Sequence, residues 1–212
     1  MANWLWDAKI FDYVDGDGNV MGRNELTTRS RKMVTSATDA LGDIGASVGS
    51  GSRTVSAARL ALREELKNEY IRQYMMGRGG RPFMTSADWG SIGGSLAEQF
   101  KYLERNVIPY LETMSEAQIR NRMSMYANSS REAFFRGQSR ARGFEPSQLP
   151  YMPADGDTIC LTKCNCEWDF SEVRDEGELV GFDAYWRLGG SVQHCDSCLG
   201  RAAESSPFQI RY

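Results

Sequence analysis

All five cysteines of this 212-residue chain lie between Cys160 and Cys198, and its only histidine, His194, lies among them. The order is Cys160, Cys164 and Cys166, then a long gap, then Cys195 and Cys198. A zinc ion takes four soft or borderline ligands in a tetrahedron, usually as two close pairs from two chain segments. Cys195 and Cys198 make the firmest pair, because a two-residue spacer lets both sulfurs face one ion. Cys160 and Cys164 form the partner pair. Cys166 can replace Cys164, since residues two apart on a strand share a face. His194 can substitute as a ligand or lie beside the site. Four of these six residues are therefore expected to hold a structural zinc. The competing view treats the cysteines as small buried hydrophobes, but it leaves their ligand count unexplained. A disulfide fits poorly with a reducing cytoplasm. A catalytic zinc would keep an open position and a carboxylate base. Glu167 and Asp196 are close in sequence, yet acidic residues beside a zinc site are more often solvated surface.

Around this cluster the sequence predicts an α+β protein, a mainly helical body followed by a small β-hairpin zinc-binding module. Residues 1–24 form an arm or hairpin, 25–145 the helical body and 146–212 the cysteine-rich module. The turn-rich Asp15-Gly16-Asp17-Gly18-Asn19 suggests a short hairpin. Apolar stripes at helical spacing follow: Leu26 to Val48, Val55 to Tyr74, Trp89 to Tyr110, and Ile119 to Phe134. Thr54 opens the second helix and the Gly77–Pro82 run closes it. Ser86 or Asp88 is expected to cap the third, whose Gly90, Gly93 and Gly94 call for close packing against a neighbour. Ser115 and Gln118 fit a capping box, and that helix is expected to reach about Ser139. A proline-rich linker then leads to two strands, before and after Arg174-Asp175-Glu176-Gly177, and to a short helix from Leu199 to Glu204.

Apolar residues make up 41% of the chain and the net charge is −3. That composition fills a modest core and exerts no general pull on nucleic acid or membranes. No run of about 20 apolar residues occurs, and the N-terminus lacks the pattern of a signal peptide. A cytoplasmic protein is expected. The Asp15–Asn19 run resembles a calcium loop, but its sixth position is Val20 and its twelfth Leu26, where glycine and glutamate belong. The Gly77–Arg81 run lacks the Lys-Ser/Thr of a phosphate loop and is expected to be a tight connection whose arginines meet a partner or a carboxylate. Arg120, Arg122, Arg131, Arg136, Arg140 and Arg142 read as a solvated helix face. No nucleophile–histidine pair can be assembled, so no enzymatic activity is expected.

An ordered set of residues carries a family resemblance. Gly77-Arg78-Gly79-Gly80, Met84-Thr85, Asp88-Trp89-Gly90, Gln99-Phe100 and Tyr102-Leu103 are followed by Arg122 and Met125-Tyr126. The tail adds Pro150-Tyr151, Pro153, Asp155-Gly156-Asp157, the cysteines with Trp168, and His194. From about Tyr70 to Phe208 the chain is similar to the head-morphogenesis (Mu F-like) group of tailed phages and prophages. The resemblance implies a structural minor head protein of the virion, acting in head assembly near the portal vertex. Portal and major capsid proteins are the implied partners, with neck proteins further out and only a weak contact with packaged DNA. Neither a membrane nor a small-molecule substrate is implied. Synthesis and assembly would take place in the host cytoplasm. Trp4, Trp6, Arg78, Arg81 and Trp89 are candidate partner-binding residues, because tryptophan and arginine anchor interfaces; the aromatic arm has docking onto its own body as its alternative. A soluble zinc-ribbon nucleic-acid-binding protein is the competing function. Against it, acidic residues outnumber basic ones about twofold from Tyr151 to Tyr212.

Overall fold

The computed structural model describes residues 4–190, 193–204 and 207–212. Among them the fold is α+β, as the sequence predicts. The helices are α1 (Arg23–Gly49), α2 (Val55–Arg78), α3 (Ser86–Asn106), α4 (Glu116–Ser129), α5 (Arg131–Ala141) and α6 (Asp196–Glu204). Strands β1 (Leu5–Asp7) and β2 (Asp12–Val14) form an N-terminal hairpin. Strands β3 (Glu167–Asp175), β4 (Glu178–Arg187) and β5 (Phe208–Arg211) form an antiparallel sheet in that order. The sequence predicts the β3–β4 hairpin. Glu176 (φ 47°) and Gly177 (φ 91°) make its two-residue turn, both in the left-handed conformation that such a tight connection needs. Strand β5 lies beyond the two strands the sequence predicts.

Local capping decides several helix ends. Thr54 accepts the Ala57 N–H at 3.2 Å and opens α2. Gly79 (φ 89°) closes it in the left-handed conformation that suits glycine. The capping box at α4 is present: Gln118 N donates to Ser115 Oγ at 3.3 Å, and Ser115 N donates to Gln118 Oε1 at 2.8 Å. At α3 the expected cap is corrected. Thr85 caps the helix, and Asp88 is the reciprocal partner, accepting the Thr85 N–H at 2.8 Å.

The single helix expected from Ser115 to Ser139 is two. The hydroxyls of Ser129 and Ser130 donate to the carbonyls of Tyr126 and Ala127, each at 2.7 Å. Such side-chain competition for helical carbonyls bends or breaks a helix, and α5 restarts at Arg131. The glycines of α3 are also corrected. A Cβ at Gly90, Gly93 or Gly94 would meet nothing within 4 Å. Close backbone approach occurs instead where α2 crosses α5. A Cβ at Gly77 would lie 1.9 Å from the Phe134 carbonyl oxygen, and one at Gly137 2.4 Å from that of Tyr74.

Two hydrophobic cores result. One is helical, with Leu41, Leu62, Leu66, Tyr70, Leu103, Leu111 and Met123 from α1 to α4. The other combines the N-terminal hairpin (Trp6, Tyr13), the end of α2 (Met76), α5 (Phe134, Phe135), and the C-terminal sheet (Trp168, Phe182, Trp186, Ile210). Cys164, Cys166 and Cys198 belong to this mixed core. So do Leu149 and Met152, and Ala154 just after them is buried, which makes the expected proline-rich linker a packed segment.

The N-terminal hairpin also differs from expectation. Leu5 pairs with Val14 and Asp7 with Asp12, while the Asp15–Asn19 turn carries only an isolated Val14–Val20 bridge. Asp15 accepts the N–H groups of Asp17 and Asn19, both at 2.9 Å, and the bonds from Asn19 hold its carboxyl below the ordinary range. The hairpin docks on its own chain: Trp6 N donates to Gly79 O at 3.2 Å, and the Tyr13 hydroxyl donates to Gly77 O.

Candidate metal centre

Two turns carry the cysteines. In the first, a short 3-10 turn at Leu161–Lys163 folds the chain back between Cys160 and Cys164, and β3 begins just after Cys166. In the second, Cys195 sits at the start of α6, where its carbonyl accepts the N–H groups of Cys198 (2.9 Å) and Leu199 (3.1 Å). The β3–β4 hairpin between the turns brings them together. Its cross-strand pair Trp168–Trp186 packs edge to face at 5.1 Å, and Tyr151 stacks on Trp168 at 5.5 Å. Trp168 Nε1 donates to the Tyr151 carbonyl at 2.9 Å, so the segment leading to the first turn is fixed to the sheet.

The sulfurs of Cys160, Cys164 and Cys198 lie within 4.8 Å of one another. Cys160 Sγ is 3.7 Å from Cys198 Sγ, Cys164 Sγ is 3.5 Å from Cys198 Sγ, and Cys195 Sγ is 3.7 Å from Cys160 Sγ. These separations are far beyond the S–S bond of about 2.05 Å, and all five thiols are free. They match the edge of about 3.8 Å expected when thiolates surround an ion at about 2.3 Å. Cys166 touches the same group through the thiols of Cys164 and Cys198. His194 is half-buried and lies outside the close group. The cluster can hold a metal ion through three to four cysteines.

The thiols respond to this crowding. Burial pushes Cys160 up. Burial and the neighbouring Cys195 thiol push Cys198 far up. Cys164 is raised by the hydrogen bond it shares with Cys166 and by burial. That same bond lowers Cys166, against its burial. Burial raises Cys195, but the N–H groups of Cys198 and Cys160 aimed at its sulfur bring it down to about 7. Closely packed thiolates repel one another, so the group keeps protons until a cation replaces them. The donor set is soft and nearly all sulfur, which suits zinc, copper(I) or iron–sulfur chemistry and disfavours magnesium or calcium.

Arg131, expected on a solvated helix face, is instead 2% exposed. Its guanidinium donates to the carbonyl oxygen of Cys164 and, at 3.3 Å, to that of Cys166. Other members of the arginine run pair with carboxylates: Arg120 with Asp43 and Glu116, Arg136 with Glu132, and Arg140 with Glu145. Arg142 lies over the rings of Trp6 (5.0 Å) and Phe170 (4.8 Å). Arg122 is exposed. Nothing in the sequence singles out Arg131, because its partners are main-chain carbonyls that only the fold supplies.

The candidate partner-binding residues differ in exposure. Trp6 is 5% exposed within the mixed core, so the expectation that it meets a partner is corrected. Trp4 is half-buried, with Arg29 5.3 Å above its ring. Arg78 binds the buried Asp88 at 3.3 Å, the carboxylate expected for this loop. Arg81 and Trp89 are exposed. Among the described residues no helix is long and apolar enough to cross a membrane. No protein-family model, curated protein or solved structure matches the chain.

Proposed function

We propose that Cys160, Cys164, Cys195 and Cys198 bind one structural zinc ion, and that the chain is a structural minor head protein of a tailed phage. The zinc part rests on one observation: thiols from two distant turns converge at 3.5 to 3.7 Å. Zinc is preferred because closed sulfur sites with tetrahedral edges are its usual structural form, and because it brings no redox chemistry. Cys195 takes the fourth place over Cys166, because it stands at the start of α6, where helix N–H groups favour a thiolate. The ion closes a mixed core assembled from distant chain segments. It acts as a scaffold and turns over no substrate.

The assembly role rests on the ordered set of residues similar to the head-morphogenesis group. In that role the protein acts in the virion near the portal vertex, with portal and major capsid proteins as partners. Exposed Trp89 and Arg81 remain available to them, and Trp89→Ala should weaken incorporation through lost packing. Mass spectrometry of purified particles, with metal analysis of the isolated chain, tests both parts. Co-purification with particles and one zinc per chain are expected. A chain absent from particles that binds DNA with a steep loss in salt would favour the zinc-ribbon nucleic-acid alternative.

A further inference from the structure

The mixed core contains a cation whose counter-charge is missing from the ordinary ion pairs. Arg131 is the first residue of α5, immediately after the Ser130 break, and is buried there. Among the described residues it pairs with no carboxylate within 4.0 Å. Its two strong partners are the neutral carbonyls of Cys164 and Cys166. The other charged groups that reach it are Arg31, Glu167 and the Cys164 and Cys166 sulfurs. Arg31 and Glu167 lie 3.7 Å apart and act on Arg131 in opposite directions. A buried, uncompensated guanidinium is costly. Fully protonated thiols would leave it so, whereas a zinc ion with four thiolates carries net negative charge and would compensate it.

We infer that Arg131 is the counter-ion of the metal–thiolate cluster: it strengthens zinc binding through its charge and joins the site to the α4–α5 junction. This rests on the proposed zinc site. Groups just outside a metal's ligands commonly alter affinity by 10- to 100-fold when removed. The charge argument adds a sign. Arg131 should help the zinc-bound chain and burden the zinc-free one. A residue that merely ties two carbonyls together would stabilise both forms alike.

The test uses the full chain with Arg131→Gln, which can still donate a hydrogen bond but has no charge, and Arg131→Lys, which keeps charge but loses the two-pronged fork. Zinc affinity is read by competition with a chromophoric chelator, and thermal midpoints are read with and without zinc. Arg131→Gln should bind zinc roughly 10- to 100-fold more weakly, while its zinc-free form melts at or above the zinc-free parent. Arg131→Lys should fall between the parent and Arg131→Gln in affinity. Equal affinity in Arg131→Gln and the parent would overturn the inference. So would a zinc-free Arg131→Gln that melts below the zinc-free parent, or a variant that fails to fold. A parent chain that binds no zinc would remove the site as well, which separates failure of the proposed function from failure of this inference.

Discussion

The two cores of this molecule are assembled by different means. The helical core draws its apolar side chains from residues between Val34 and Ala133, with α1 packed on both α2 and α4, and it also buries the polar Ser30, Glu69 and Gln73. The mixed core brings together residues as far apart as Trp6 and Ile210 and buries three cysteines and Arg131. The mixed core spans more of the chain and so closes the longer loops, at a somewhat larger entropic cost. A metal cross-link is one way to offset that cost. With the proposed zinc, one chain would rely on hydrophobic burial at one end and on ligand chemistry at the other.

The sharpest way to break this contrast is to remove the ligand set. Cys198→Ser should abolish zinc binding and loosen the mixed core, because structural zinc contributes about 10 kcal/mol or more. Trp6, Trp168 and Trp186 all lie in that core and none in the helical one. Tryptophan fluorescence and near-UV circular dichroism should therefore change strongly, while far-UV helical signal is mostly kept. Equal loss of both signals would show that the cores are a single cooperative unit.

The reverse experiment deletes packing from the helical core. Leu66 is 1% exposed there, and Leu66→Ala should cost about 2 to 5 kcal/mol in denaturant unfolding. Zinc affinity should be unchanged in the folded variant. The α2–α5 crossing is where the two regions touch, so Gly77→Ala should disturb both. Its Cβ meets backbone, which cannot move aside cheaply, and a loss of about 3 kcal/mol is expected. Gly94→Ala, facing open space, should instead stabilise α3 by up to about 1 kcal/mol.

A smaller effect concerns Glu69, fully buried between α1 and α2, where it accepts from Gln73 Nε2 at 2.8 Å and pairs with Arg72 at 3.0 Å. Burial raises its pKa, and the Gln73 and Arg72 contacts only partly oppose that. The folded chain therefore holds this proton more tightly than the unfolded chain. The contribution is fully present below the ordinary carboxyl pKa and is lost as pH rises through the folded value. Glu69→Gln should flatten that part of the stability–pH curve measured by denaturant unfolding. An unchanged curve would contradict the assignment.

The same contrast explains what the sequence reveals. The helical stripes and the capping box of Ser115 and Gln118 are local patterns, so α1, α2 and α4 are legible from residue spacing. The β3–β4 hairpin is legible for the same reason, through its turn and alternating side chains. The cysteine spacing announces a cluster, but it leaves Cys166 as an alternative to Cys164, because that choice depends on how two turns meet. The docking of Trp6, the close crossing at Gly77 and Gly137 and the burial of Arg131 are likewise products of tertiary packing. Gly77 and Gly90 look alike in sequence; only the arrival of α5 gives the first a steric role. The Ser129-Ser130 break was masked by an apolar spacing that continues across it to Phe134.

Metal content of the purified chain, followed by chelator titration under tryptophan fluorescence, tests the central claim most directly. One zinc per chain is predicted, with the mixed-core signal lost in step with the metal and restored by adding it back. A metal-free chain with the same fluorescence and near-UV spectra, unmoved by chelator, would contradict the account.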